Sequence, residues 1–469
     1  MADVISQISK IVDKGGLLTG NDVAARSADW LGITNRVAKA IVRPRTTEEL
    51  SAVMKTCHAA EQSVIPSGGL TGMVHGTDST GADVMISFER MTEIEAIDPV
   101  GRTITVKTGA PMQKVQEAAE AEGLLFAVDL GARGSATIGG NISTNAGGNQ
   151  VIRYGMMRAQ VLGLEAVLAD GTIISSMNSL LKNNSGYDLK QLFIGSEGTL
   201  GLVTRAVLRL HPLPTSVNTA LVAVPDFDAL TRLFDMAGKE LGGNLTAFEV
   251  MWADHYQMIA IDSGRHTPPL PAGSPYYAII ESNGTHPEKD EEQFGEILSN
   301  ALESEVISDA VLASSKAQRK EIWNIREDIE GIAAALSPAA IFDISLPITT
   351  MEAYISELRT SLETQWGKQV RLIVFGHLGD GNLHVGVAPR PWSEENREIA
   401  EKIVYEPLAK IGGAVSAEHG IGLEKRAWLH LSRNENELAL MLTLKQALDP
   451  KNILNPGKVL SGANGYKDQ

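Results

Sequence analysis

The chain has 469 residues, too many for one compact core, so two or three domains are expected. Hydrophobic residues make up 43% and charged residues 21%, and the formal net charge is -16 with no Lys/Arg run, which argues against nucleic-acid binding but leaves room for a local basic pocket that takes a carboxylate. One cysteine, Cys57, excludes an intrachain disulfide framework and a Cys-x-x-Cys site.

The first residues, MADVISQISK, carry an early acid and no long apolar stretch, so they do not read as a secretory signal. No run of about 18 apolar residues exists to span a membrane, and a cytoplasmic enzyme is expected. Thr46 to Glu61 is expected as a helix, capped by Thr46 or Thr47, with Glu48 and Glu49 in its first turn and Leu50, Val53 and Met54 at helical spacing. Val64-Ile65-Pro66 then runs into a glycine-rich loop. Asp83 to Phe88 reads as an apolar strand, and Glu93 to Asp98 with Arg102 to Thr108 as a hairpin. Pro111 to Glu122 is a second helix with Gly123 just past its end, and Val161 to Leu168 with Thr172 to Ser175 a second hairpin around Asp170-Gly171. Gly201 to Leu210 is a strand that Pro212 and Pro214 break, which places a domain boundary there.

From about residue 216 the units lengthen. The strands Leu221 to Val224, Tyr277 to Glu281, Ile341 to Leu346 and Val370 to Phe375 alternate with helices near Ala229 to Leu241, Asp290 to Leu302 and Met351 to Gln365. This pattern predicts an α+β domain, an antiparallel sheet with helices on one face. The tail holds one long helix and then Asp449 to Lys458.

Three constellations carry chemistry. The first is a pair of glycine-rich loops, Pro66 to Gly76 and Gly131 to Asn149. Bare backbone N–H groups recognise a pyrophosphate well, and Ser67, Thr71, Ser135 and Thr137 add hydroxyls. Six glycines lie between Gly131 and Gly148, more than ordinary turns require, although turns are the plain alternative. No G-x-G-x-x-G and no G-x-x-x-x-G-K-[ST] is present, which disfavours a Rossmann site or a P-loop. The second is Gly376-His377-Leu378-Gly379-Asp380-Gly381-Asn382-Leu383-His384. If Gly-Asp-Gly-Asn forms the hairpin loop, His377 faces His384, close enough to share a metal ion, with surface histidines as the alternative. The third is Ala417-Glu418-His419-Gly420-Ile421-Gly422. Neighbours on an extended chain point to opposite sides, so Glu418 is assigned to the metal and His419 to proton transfer.

With these segments in view, the chain resembles the FAD-binding vanillyl-alcohol-oxidase/PCMH superfamily, in its D-lactate and D-2-hydroxyglutarate dehydrogenase branch. The matching segments are Arg43 to Leu50, Pro66 to Gly76, Gly139-Gly140-Asn141, Asn145 to Gly148, Tyr187-Asp188-Leu189, Gly195 to Gly201, Gly376 to His384, Glu418 to Gly422 and Asn455 to Lys458. The resemblance implies an α+β fold in which residues 1–214, with a core about 37–213, form a PCMH-type FAD-binding domain. Residues 215–419 form a substrate or cap domain, and residues 420–469 form a helical segment that returns to the FAD domain.

The resemblance also implies FAD contacts at Pro66, Ser67, Gly68, Gly69, Leu70, Thr71 and Gly72, with the phosphates at Ser67 to Thr71. Further contacts are implied at Gly131, Ser135, Ile138, Gly139, Gly140, Asn141, Thr144, Asn145, Gly147, Gly148, Glu197, Gly198, Gly201, Val203 and Asn455. Relatives that tether FAD often place His where this chain has Leu70, so non-covalent FAD is expected, with His75 nearby. His377, His384 and Glu418 match the ligands of a divalent metal, usually zinc or manganese. His419 matches the base, and Arg326 matches a substrate-carboxylate anchor, where spacing alone would also allow a surface arginine.

The implied reaction is oxidation of a D-2-hydroxy acid to the 2-oxo acid. The metal polarises the substrate, His419 takes the hydroxyl proton and hydride passes to flavin N5. Electrons then leave to an electron-transfer flavoprotein, cytochrome or quinone, and a homodimer is admitted. The chain departs from the hydroxyglutarate pattern at Glu330 in place of Thr, Ile341 in place of Lys and Gly386 in place of Asn, which disfavours a dicarboxylate. The rival readings are a non-catalytic FAD subunit of a redox complex and a metal-dependent hydrolase.

Overall fold

Period-two apolar runs and short amphipathic helices build a chain of two units. The computed structural model describes residues 3–28 and 36–461, so residues 462–469 of the expected C-terminal segment lie outside the described residues. The first unit holds the described residues up to Gly148, Gly155–Leu213 and the chain from Glu418 on, and the second holds Asn149–Tyr154 and Pro214–Ala417. Three details differ from the expected division, and the first is that Pro214 goes with the second unit. Residues 149–154 go with the second unit, where Asn149 donates to Glu327 at 2.6 Å and Arg153 to the carbonyl of Asn283. Glu418 and His419 go with the first.

In the first unit, the strands Ala40–Val42, Val84–Ser87 and Val64–Ser67 pair in parallel, with Leu17–Leu18 antiparallel at the edge. The tail returns to this sheet. Val64 donates to the Ile453 carbonyl at 2.7 Å, and Asn455 donates to the Val64 carbonyl at 2.8 Å. The helix Thr47–Ala59 covers the sheet and buries Leu50, Val53, Met54 and Cys57 completely. Its cap is Thr46, whose hydroxyl accepts the Glu49 N–H at 3.1 Å. A second sheet has five antiparallel strands in the order Ile94–Asp98, Thr103–Lys107, Leu202–Arg209, Val161–Val167, Ile173–Ser176. Both expected hairpins are there, and Leu202–Arg209 joins them at the centre.

The second unit is one seven-stranded antiparallel sheet. Its order is Asp309–Leu312, Ser216–Val224, Tyr276–Gly284, Leu245–Trp252, Arg371–His377, Asn382–Ala388, Ala340–Ser345. Helices cover both faces, not one as expected. The helix Phe227–Leu241 sets Phe234 edge-on to Phe248 at 5.0 Å and Phe227 to Tyr276 at 5.8 Å. The residues of opposite parity, Leu221, Met251, Tyr277, Ile373 and Phe375, pack with Tyr256, Ile322, Ile325 and Leu336. The unbroken run Leu221-Val222-Ala223-Val224 agrees with this, because a strand buried on both faces cannot alternate. No helix among the described residues is long and apolar enough to cross a membrane.

Candidate functional site

The first unit gathers its candidate residues by backbone contact. A Cβ built on Gly69 would stand 1.9 Å from the Ser135 carbonyl oxygen, and one on Gly68 2.6 Å from Thr137 Oγ1. A Cβ on Gly198 would meet the Pro66 ring at 2.5 Å. The loops at 66–72, 135–140 and 195–201 therefore touch where only glycine fits. Leu70 and Glu197 lie in these segments, and with Asn145 and Asn455 they hold positive φ, at 60, 51, 52 and 42°. Such conformations are costly for a side-chain-bearing residue and cluster at functional sites.

The two glycine loops differ in how many N–H groups they leave open. Among the described residues, the N–H groups of Gly69, Leu70, Thr71 and Gly72 have no hydrogen-bond acceptor. Four successive open donors make an anion cradle. In the second loop Gly139 donates to the Thr108 carbonyl at 2.7 Å, Gly140 to Thr137 Oγ1 at 3.2 Å and Gly148 to Glu418 Oε1 at 2.5 Å, while the N–H groups of Gly131, Gly134 and Gly147 have no acceptor among the described residues. Gly148 is needed for packing, since a Cβ there would lie 1.9 Å from the Asp129 carbonyl oxygen. Ile138 and Val203 turn into the apolar core, and Thr144 donates to the Gly140 carbonyl at 3.1 Å.

Glu197 has its own task. Its buried carboxylate accepts the N–H of Ile421 at 2.7 Å and of Gly422 at 2.8 Å, which fastens the turn that follows His419. Burial raises its pKa above the usual carboxylate range, against the pull of these two donors and Lys425. Asn455 donates to the carbonyls of Glu197 at 2.8 Å and Gly76 at 3.1 Å, while its buried Oδ1 has no partner among the described residues. Glu418 and His419 are half-buried beside this clamp.

In the second unit, the hairpin of Arg371–His377 and Asn382–Ala388 brings His377 and His384 together, but not in the expected register. His377 pairs with Asn382, and His384 with Phe375. The loop is Leu378 to Gly381, closed by Gly381 at φ 85° donating to the Leu378 carbonyl. Asn382 is drawn into the strand instead, because its buried amide donates to Asp343 Oδ1 at 2.8 Å and to the Ile344 carbonyl at 3.0 Å. The two imidazoles sit diagonally, with ring centroids 5.4 Å apart. Each has a buried carboxylate at Nδ1: Glu249 Oε1 lies 2.7 Å from His377, and Asp343 Oδ1 lies 3.8 Å from His384. The bond to Glu249 turns Nε2 of His377 toward ligation, while Asp343 stands at ion-pair distance from His384.

Glu249 was not singled out from the sequence. It stands in Leu245–Trp252, a strand in which every residue is buried. A lone carboxylate in the run Phe248-Glu249-Val250-Met251 was the available signal. Its other oxygen accepts from Arg326 Nε at 2.9 Å. Burial pushes the Glu249 carboxyl up, but His377 and Arg326 outweigh it and hold the group below its ordinary range. Arg326 is therefore no surface arginine. It ends the helix Lys316–Arg326, lies over the Phe375 ring at 4.5 Å and is 5% exposed. Its Nη2 lies 2.9 Å from Glu249 without an aligned hydrogen bond, a buried donor open to a further acceptor. On the same ring, at 4.7 Å, packs His255, which burial and Arg326 keep neutral with a pKa of about 3.

Residues 213–459 match the family of FAD linked oxidases, C-terminal domain, and residues 38–176 match an FAD binding domain family. The chain is 37% identical over 98% of its length to the mitochondrial D-2-hydroxyglutarate dehydrogenase of Bos taurus, covering 83% of that protein. It is also 37% identical over 93% of its length to the D-2-hydroxyglutarate dehydrogenase of Xanthomonas citri pv. viticola, covering 92% of it. In fold it is similar to substrate-bound p-cresol methylhydroxylase, with TM-score 0.76 and 15% identity, over 97% of this chain and 96% of that one.

The cradle at Gly69 to Gly72 and the open acceptor on Asn455 fit an FAD whose pyrophosphate lies on bare backbone. The Gly69→Ala variant forces the 66–72 and 135–140 segments apart, and we expect it to purify without flavin while the parent is yellow and releases FAD into acid supernatant. A Gly69→Ala protein with the parent's ratio of flavin to protein absorbance contradicts this assignment.

Proposed function

This chain belongs to the FAD-linked oxidases, and within that family we propose that it oxidises a D-2-hydroxy acid to the 2-oxo acid. The observation that carries the reading is the pair His377 and His384, each backed by a buried carboxylate, in a chain whose relatives bear the name of a D-2-hydroxy-acid dehydrogenase. The two histidines fit a divalent cation, with Glu418 as the third ligand that the sequence resemblance supplies. When bound, FAD supplies the two-electron acceptor and the cation a positive charge that lowers the pKa of the substrate hydroxyl. His419 takes the hydroxyl proton, held in place by the Glu197 clamp on Ile421 and Gly422. Arg326 offers Nη2 to the substrate carboxylate, its charge already balanced by Glu249. Leu70 at the cradle and His75, which pairs with Asp78 at 3.0 Å, favour non-covalent FAD. An external carrier would take up the electrons that bound FAD accepts.

The substrate side chain is read from the three departures. Ile341 and Ile373 flank Gly386 on the neighbouring strands, and a Cβ on Gly386 would meet Leu336 Cδ1 at 2.5 Å. An Asn at this position, as in hydroxyglutarate enzymes, would require the Leu336 side chain to shift. Glu330 is 85% exposed and pairs with Arg265 at 3.0 Å. The groups expected to hold a second carboxylate are replaced by apolar surface and an added negative charge.

Three outcomes follow from this reading. With His419→Ala, flavin stays bound and anaerobic flavin reduction slows by about 10²–10⁴-fold, the usual contribution of a general base. Arg326→Ala acts mainly on KM. Stopped-flow reduction at saturating substrate separates the two, and a parent-like rate in His419→Ala places the base elsewhere. Elemental analysis should find about one divalent ion for each chain, lost in His384→Ala. Turnover that survives exhaustive chelation leaves the ion without a catalytic role. D-Lactate and longer apolar D-2-hydroxy acids should give higher kcat/KM than D-2-hydroxyglutarate, and the reverse order overturns the substrate reading.

A further inference from the structure

We infer that Glu249 is a positioning residue that ties the metal ligand His377 to the substrate anchor Arg326. The inference rests on the reading above of both partners. Glu249 lies directly across the strand pair from His377, in register with it, and is 1% exposed. Its two oxygens are divided between the two groups, Oε1 at 2.7 Å from His377 Nδ1 and Oε2 at 2.9 Å from Arg326 Nε. The first contact keeps a proton on Nδ1 of the imidazole, so that Nε2 carries the lone pair a cation needs. The second gives a buried guanidinium its counter-ion and aims it, while Phe375 beneath prevents the head group from swinging away. One carboxylate therefore sets the direction of both groups, and neither can turn without moving the other's partner.

Glu249 lies in a unit separate from the glycine cradle, so flavin content controls for folding of the first unit and near-UV circular dichroism for that of the second. Zinc is the probe, with its dissociation constant measured by chelator competition on the flavin-loaded protein. In Glu249→Gln the shape remains and the charge is lost. Zinc affinity should fall roughly 10–100-fold, the range for losing such a partner of a ligating histidine, and KM for the 2-hydroxy acid should rise even at saturating zinc. Glu249→Asp, which keeps the charge, should recover part of both. If an unpaired Arg326 unfolds Glu249→Gln, the double variant Glu249→Met with Arg326→Met removes the charge pair together and should fold, since buried pairs are often replaced by apolar residues without loss. That protein should still hold zinc weakly. A yellow Glu249→Gln or double variant with the parent's zinc affinity overturns the inference. A parent that takes up no zinc overturns the metal reading beneath it, so the two failures are told apart.

Discussion

The close approach of backbone to backbone at Gly69 and Ser135 is the constraint on which the first unit depends. With 1.9 Å between a notional Cβ and a carbonyl oxygen, the two segments come together only because one lacks a side chain. In the second loop the N–H groups of Gly139, Gly140 and Gly148 are tied to Thr108, Thr137 and Glu418. The first is held by packing at its sides, which leaves the donors of Gly69 to Gly72 open. Open donors are what a phosphate cradle needs, because donors already bonded to protein cannot recognise an anion.

The second unit solves a different problem, that of placing charge inside an apolar sheet. Glu249 and Asp343 are 1% and 0% exposed, where an isolated carboxylate is costly. Each is satisfied by neighbours that also belong to the candidate site: His377 and Arg326 for the first, Asn382 and the N–H of Ala417 for the second. The desolvation that makes these groups expensive also makes their contacts strong and directional. The two imidazoles are therefore held from behind, as groups poised for ligation must be.

The local features were legible in the sequence: the glycine loops, both hairpins of the first unit, the histidine hairpin and the cap at Thr46. Each is written in a short stretch, through period-two alternation, turn residues and capping side chains. The failures have a common origin. The register of the histidine hairpin depended on whether Asn382 served the turn or the strand, and a carboxylate 39 positions away decided for the strand. The exchange of residues 149–154 to the second unit likewise rested on remote partners. Spacing alone also allowed Arg326 as a surface residue, because its counter-ion is 77 positions away.

By itself, then, the sequence determined which residues are able to do the chemistry: bare glycines for an anion, paired histidines and a Glu-His pair for a cation and a proton, and an arginine for a carboxylate. Only the tertiary structure decided which of them are available. A turn or a strand is specified by a few adjacent residues. Whether an N–H is open, which way an imidazole faces and what balances a buried guanidinium are set by partners across the sheet, and side-chain spacing does not encode those partners.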